Sequence, residues 1–553
     1  MHKRQKMKLS KVDAEKSTAW ILLAILLIAG CLIFFQKCHF DKSEQTLRIS
    51  LVSDVQSMDI SQSHDTNSEQ VISLVFEGLM RKDSNGVPQL ALAKEVIISE
   101  DQKTYTFHLR ETKWSDGTPL TAHDFEYSWK RSMDPHSKFV CRSPYYFYDI
   151  KKGKASLKGE VSSQEVGVRA IDPNTLVVDL EHPTPYFLEL TTLSFFFPIP
   201  KHIAENNPKW GTTIPLICNG PFHPDHWKRN DSIHLTKNLH YWDCSHVYLD
   251  GISISIINDP LTTLFMFEKG ELDWVGSPFV RVSYDTSSET LNQEYDDVLI
   301  YWFNINTQKY PFNHQKIRQA LSYAIDRKSI VSNVFHQAGI PRASILPPAI
   351  TLSEKPLFQD NDPNQAKKLF EEALYELNLT RKTFPEITLS YVANVEIHHR
   401  IAQAIQDQWR DALGIHKVTL KQTEWNIHYD ALCRGDYDVG FLAWNVSVLD
   451  PIFILEIFRN RDNTNNTSFW EDPHYITLLD QAKASLSPVQ RTHLLKQAEE
   501  HLLEQMPVIP ICSLKKRFAK NPTLKGETLL PLQLIDFKSA YFETSPTVQA
   551  PFP

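Results

Sequence analysis

Glycine is scarce in this chain of 553 residues: there are 17, and no two stand in a G-x-G arrangement. That excludes the dinucleotide-binding fingerprint, and no G-x-x-x-x-G-K-[ST] phosphate loop is present either. The H-E-x-x-H pair of a zinc peptidase and the G-x-S-x-G nucleophile elbow are also missing. Cysteines never occur as C-x-x-C; beyond Cys31 and Cys38, those at 141, 218, 244, 433 and 512 stand singly, which argues against zinc and leaves disulfide pairing open. Basic residues are in surplus only at the start. Residues 1–30 carry a net +4, so the overall −8 leaves −12 on the rest, a balance that argues against nucleic acid as a partner. What is present is an ordinary globular composition, 42% hydrophobic and 22% charged, with heavy aromatic use at 11%.

The apolar run at 20–35 (WILLAILLIAGCLIFF) is sixteen residues long, below the roughly 17–20 a spanning helix needs, so it reads as a signal peptide over 1–30. Ile28-Ala29-Gly30-Cys31 resembles a lipoprotein cleavage box, which would acylate Cys31. Apolar residues at 32–35 keep an uncleaved anchor as the alternative. Either way the body lies outside the inner membrane, periplasmic and membrane-anchored, with 31–46 as a polar tether.

The most informative stretch is 105–131, YTFHLRETKWSDGTPLTAHDFEYSWKR. Tyr105, Phe107 and Leu109 alternate with polar residues as in a half-buried strand. Asp116-Gly117 and Pro119 make a turn, and Thr121 with Asp124 approximates a capping box for a helix on which Phe125 and Trp129 stand four apart. Elsewhere the spacing predicts a strand at 47–52, a helix over 69–80 (Ile72, Val75, Phe76 and Leu79 on one face), and a hairpin over 166–180 turning at Asp172-Pro173-Asn174. It also predicts a long helix from His314 through Ile325, helices beginning at Asp362-Pro363, over 398–413 and over 488–505, and strands at 418–420, 439–443 and 508–512. Strands alternate with helices throughout, an α/β pattern without internal repeats.

The segment KWSDGTPLTAHDFEYSWKR, with FEGL at 76–79, Asn219-Gly220-Pro221-Phe222, Asn238 to Tyr241-Trp242, and IRQALSYAIDRKSIV from 317, resembles the extracytoplasmic solute-binding proteins of the oligopeptide/dipeptide (peptide/nickel) ABC importers. The likeness covers about 47–513. It implies a two-lobed α/β periplasmic-binding-protein fold with an extra subdomain: lobe I from 45–80, 181–300 and 514–553, subdomain II from 81–180, and lobe III from 301–513. Ligand would lie between lobes I and III, which close by hinge bending. The implied function is capture of oligopeptides, cell-wall muropeptides included, for delivery to a membrane permease by a monomer with no catalytic activity and no cofactor. The alternatives are a different small solute on the same fold, or a membrane-anchored peptidase or cell-wall hydrolase.

The resemblance implies ligand contacts from His64, Thr66, Tyr145 (in Ser143-Pro144-Tyr145), Trp302, Asn304, His398, Trp425, Trp444, Asn445 and Ser447. Core packing is the competing reading of each tryptophan, and a solvent-facing first turn that of His398. Where the family places an aspartate that pairs with the peptide's α-ammonium, this chain has Ser447, and Leu432 and Phe441 stand where family arginines are expected. Recognition of both peptide ends is thereby altered. Asp450, next to Pro451, reads as a helix cap. Ser513-Leu514-Lys515-Lys516 fits S-x-x-K but lacks a following K-T-G, and His223 and His226 lack a third ligand at metal-site spacing, which leaves them in a solvated loop.

Overall fold

The computed structural model describes residues 45–62, 65–141, 144–279, 290–335, 338–446, 448–530 and 534–543. Three larger sheets organise them. The first runs Thr46–Leu51, Gly251–Ile256, Ser232–Lys237, Phe222–Lys228, with the first pair parallel and the others antiparallel. The second is antiparallel throughout, two hairpins side by side in the order Ala93–Ile98, Thr104–Leu109, Thr175–Asp179, Val168–Asp172. In the third, a mixed seven-stranded sheet, the order is Trp274–Gly276, Val508–Lys520, Gln293–Ile305, Val439–Asn445, Ile387–Val392, Val418–Thr423, and Gly339–Pro341 pairs alongside Val508–Lys520. The helices Glu396–Leu413 and Trp425–Arg434 link its last three strands as parallel crossovers.

Two strands of thirteen residues, Gln293–Ile305 and Val508–Lys520, pair antiparallel through the middle of this sheet. The boundaries expected at 300/301 and 513/514 lie side by side on that pair, because Ile300 opposes Ser513 and Tyr301 opposes Cys512. Register shifts flank the position, between Asp296 and Ile300 and between Tyr301 and Trp302. A bulge interrupts the ladder and increases local twist.

The signature segment folds as its residues dictate. Tyr105, Phe107 and Leu109 are buried along Thr104–Leu109. Thr121 and Asp124 form the capping box of helix Ala122–Ser132. Trp129 Nε1 donates to Phe196 O (2.9 Å) and Ser128 Oγ to Phe197 O (2.8 Å), so this helix fixes the aromatic run at 195–197.

Three expectations are corrected. The helix placed over 69–80 is Thr66–Val75; Phe76 turns extended (φ −126°, ψ 160°), and Glu77 N–H leaves the helix for Asn219 Oδ1 (3.3 Å). The face Ile72, Val75, Phe76, Leu79 is nonetheless buried, because the extended stretch runs on through the core. The helix from His314 ends at Tyr323, and Asp326, accepting from Ser329 N–H, caps a second one, Arg327–Val334. His223 and His226 lie on the strand Phe222–Lys228 rather than in a loop.

Candidate ligand-binding site

A cavity of about 490 Å³ opens where distant parts of the chain meet. Helix Thr66–Val75, capped by Asp65, supplies Thr66, Glu69 and Ser73. The extended run behind it supplies Arg81 and Lys82. The turn Pro144–Phe147 adds Tyr145 and Tyr146, the segment held by Ser128 and Trp129 adds Phe195 and Phe197, and the end of strand Val439–Asn445 adds Asn445 and Val446. A C-terminal hairpin closes the floor with Leu530, Leu534 and Asp536. The volume suits a short peptide or similar small molecule.

Most charges on these walls are paired. Arg81 donates to Glu77 Oε1 (2.6 Å) and Asp536 Oδ2 (2.7 Å), and Glu77 also accepts from Tyr241 Oη (2.7 Å) and Trp242 Nε1 (2.6 Å). Burial works against the Arg81 charge, but Asp536, Tyr241 and Glu77 outweigh it and hold the guanidinium well above its usual range. Burial likewise disfavours the Asp536 carboxylate, and Arg81 overrides that to lower its pKa. Lys82 Nζ sits 2.8 Å from Glu189 Oε1, the oxygen that also accepts the backbone N–H of Leu449 (2.6 Å). Asp450 is engaged as well: Arg491 grips it through its two terminal guanidinium nitrogens (2.8 Å each), and it accepts from Ile452 N–H (2.9 Å) just ahead of the short helix Ile452–Leu455, whose N-cap is Pro451 rather than Asp450.

The structure brings Thr66, Tyr145 and Asn445 together on the cavity. Trp302, Asn304 and Trp444 do not line it; they share one face of the seven-stranded sheet, with the rings of Trp302 and Trp444 stacked 6.3 Å apart. His398 is elsewhere. It packs 4.1 Å from the Phe441 ring and 6.0 Å from Tyr301 on the opposite face, and burial, with His428 nearby, pushes its pKa down to about 4. Trp425 opens helix Trp425–Arg434, stacks on Tyr429 at 5.5 Å, remains 45% exposed and does not line the cavity. His64, Ser143, Ser447 and Cys31, with the signal segment, lie outside the described residues.

Sequence reading missed Glu69, Arg81, Lys82, Glu189 and Asp536. Their pairing joins positions as far apart as 81 and 536, so no local spacing announces it. Among the described residues no group of three or more His, Cys, Asp or Glu could hold a metal, and no helix is long and apolar enough to cross a membrane. Ser513 and Lys516 stand three apart on an extended strand, hence on opposite faces, and Lys516 pairs with Asp297 (3.0 Å).

Residues 87–466 match the family model described as bacterial extracellular solute-binding proteins, family 5 Middle. The oligopeptide-binding protein OppA of Bacillus subtilis is 37% identical over 513 residues, covering 91% of this chain and 93% of that protein. The unliganded open form of the periplasmic murein tripeptide binding protein MppA superposes with a TM-score of 0.79 at 28% identity, over 90% of this chain and 98% of that one. Haemophilus influenzae OppA in complex with the peptide RPPGFSPFR gives 0.71 at 26% identity, over 91% and 99%.

Proposed function

The chain belongs to the family 5 bacterial extracellular solute-binding proteins, and from that premise we propose that it captures peptides outside the inner membrane for an ABC permease. The observation that carries this reading is the cavity itself, built jointly by segments from the N-terminal, middle and C-terminal parts of the chain, with Tyr145, Thr66 and Asn445 on its walls. An extended peptide satisfies its backbone along such walls, and ligand favours the closed arrangement by its differential affinity for it. The paired strands Gln293–Ile305 and Val508–Lys520 are the hinge, with the register shifts beside Ile300 and Ser513 as the compliant point between lobes 45–80/181–300/514–553 and 301–513. Residues 81–180 ride with the first lobe.

The protein hydrolyses nothing: the serine of its S-x-x-K sequence has the lysine on the other face of the strand, tied to Asp297. Cys31 carries a lipid that anchors the body, and the protein works as a monomer. Titration with tri- to pentapeptides, followed by mass spectrometry of the peptide after long incubation, tests both halves; absence of binding or appearance of cleavage products refutes the corresponding one. Ser447 in place of the aspartate expected from the resemblance favours a narrower ligand, a peptide lacking an ordinary free N-terminus such as a cell-wall muropeptide. The structural likeness to a murein tripeptide binding protein is in keeping with it. Tight, sequence-tolerant peptide binding that N-acetylation abolishes would count decisively against that narrower ligand.

A further inference from the structure

Among the described residues, the buried polar atoms without a hydrogen-bond partner include four on neighbouring strands of the seven-stranded sheet: Trp302 Nε1, Asn304 Nδ2, Arg342 Nε and Ser513 Oγ. Trp302, Asn304 and Ser513 are at most 1% exposed. Each such orphan costs about 1–3 kcal/mol, so their occurrence together calls for a common cause.

They share one surface. Residues 300, 302 and 304 alternate onto the same face of Gln293–Ile305, and Ser513, directly opposite Ile300, points the same way. Ile340 opposes Ser513 from the other side, and Arg342 follows two residues later, its N–H donating to Ile511 O (3.0 Å) as the ladder continues. The indole, amide and guanidinium nitrogens can only donate, and the hydroxyl can, so the missing partner is an acceptor. Arg342 also brings charge. One of its terminal nitrogens donates to Leu346 O (2.7 Å). Glu499 and Asp296 act on the guanidinium electrostatically, but no ion pair joins it to a carboxylate among the described residues. Glu499 is itself occupied in accepting from Ser344 Oγ.

Resting on the reading of the chain as a peptide binder, we propose that Arg342 and Ser513, continuing the row begun by Trp302 and Asn304, form the subsite for the ligand's carboxylate. A carboxylate offers only acceptors, in the planar pair a guanidinium matches. The row starts at Trp444 on strand Val439–Asn445, two residues before the cavity residue Val446, and reaches Arg342 three strands away. At about 4.8 Å per strand that is roughly 14 Å, the span of about four residues of extended chain. The subsite therefore favours tetra- and pentapeptides over dipeptides.

The test uses full-length protein in detergent and alanine-based tri- to pentapeptides, with the N-terminus free or acetylated, each as the free acid and as the C-terminal amide. Amidation is expected to weaken binding to the wild type about 10- to 100-fold. Arg342→Gln binds acid and amide alike, at the wild-type amide level. Arg342→Lys retains part of the discrimination, and Ser513→Ala loses several-fold on the acid alone. Equal binding of acid and amide by the wild type overturns the subsite while leaving peptide binding intact, as does an equal loss of both forms in Arg342→Gln. Failure of every peptide in either form overturns the peptide-binder reading and the subsite with it. Should Arg342→Gln not fold, Ser513→Ala and the wild-type acid-to-amide ratio decide.

Discussion

Replacing Glu189 by Ala should loosen the cavity from a point outside its walls. The carboxylate sits between Lys82, a cavity residue, and the backbone N–H of Leu449, three residues beyond the cavity residue Val446. Both side chains are almost dry, at 3% and 13% exposure, so solvent does little to screen the pair. Truncating one partner of a buried ion pair costs about 3–5 kcal/mol, because the other charge is stranded. The Leu449 N–H, orphaned by the same change, belongs to that total and is not added to it, since one oxygen serves both donors. The cost falls on the seating of the 446–450 segment against the part of the chain that carries Lys82 and Glu189. If only about 1.4 kcal/mol of it is charged to the binding-competent arrangement, peptide affinity drops tenfold.

Glu189→Gln separates the two roles, because the amide oxygen still accepts from Leu449 while the charge is gone. Affinity by calorimetry and the urea midpoint by tryptophan fluorescence should both rank wild type, then Glu189→Gln, then Glu189→Ala. The midpoint is the proper readout, since a chain with several lobes need not unfold in one step. Wild-type affinity and midpoint in Glu189→Ala would refute the reasoning. Equal damage by Gln and Ala would show that the Leu449 bond contributes nothing.

Gly220→Ala should destabilise by about 1–3 kcal/mol, the usual cost of overpacking, because a Cβ there would lie 2.5–2.6 Å from the backbone of Val75 and Phe76; an unchanged melting temperature would contradict this. Cys31→Ala should abolish incorporation of labelled fatty acid, and retained label would point to another anchor. His398 titrates at about 4 in the fold against 6.5 for the free side chain, so the fold prefers it neutral. Its stabilising effect is complete above about pH 6.5 and is lost as pH falls towards 4, roughly 3 kcal/mol in all at 1.36 kcal/mol per unit. His398→Leu should flatten the urea midpoint between pH 4 and 6.5, and an unaltered pH profile would place the effect elsewhere.

Much of the fold was legible because its signals are local. The capping box at Thr121, the helix Pro488–Gln505 and the turn between Val168–Asp172 and Thr175–Asp179 each depend on residues within a few positions of one another. The errors share a cause in contacts made far away. Helix Thr66–Val75 stops where Asn219 and Gly220, some 140 residues on, capture Glu77 N–H and Val75 O. Gly220 does not have a positive φ; its small size matters because another backbone passes against it. The strand expected to stop at 512 runs to Lys520 because Trp274–Gly276 and Gln293–Ile305 are there to pair with it.

The site divides along the same line. Tyr145 and Asn445 could be named because each sits inside a recognisable local pattern. Arg81, Lys82 and Glu189 could not, since a charge is informative only once its counter-charge is known, and Asp536 and Leu449 arrive from other parts of the chain. The signature segment 105–131 shows how far a local pattern can reach without touching ligand. Its Ser128 and Trp129 hold the carbonyls of Phe197 and Phe196, and thereby set two cavity residues, Phe195 and Phe197, in place. Such a segment fixes where a cavity forms and leaves its chemistry open. That chemistry is set by side chains at the strand and helix ends facing the opening, which can change without disturbing the scaffold. Arg342 and Ser513 are of this kind: nothing in the sequence around Arg342 marks it, the S-x-x-K around Ser513 points to a different chemistry, and only the pairing of Gly339–Pro341 with Val508–Lys520 places them beside Trp302 and Asn304.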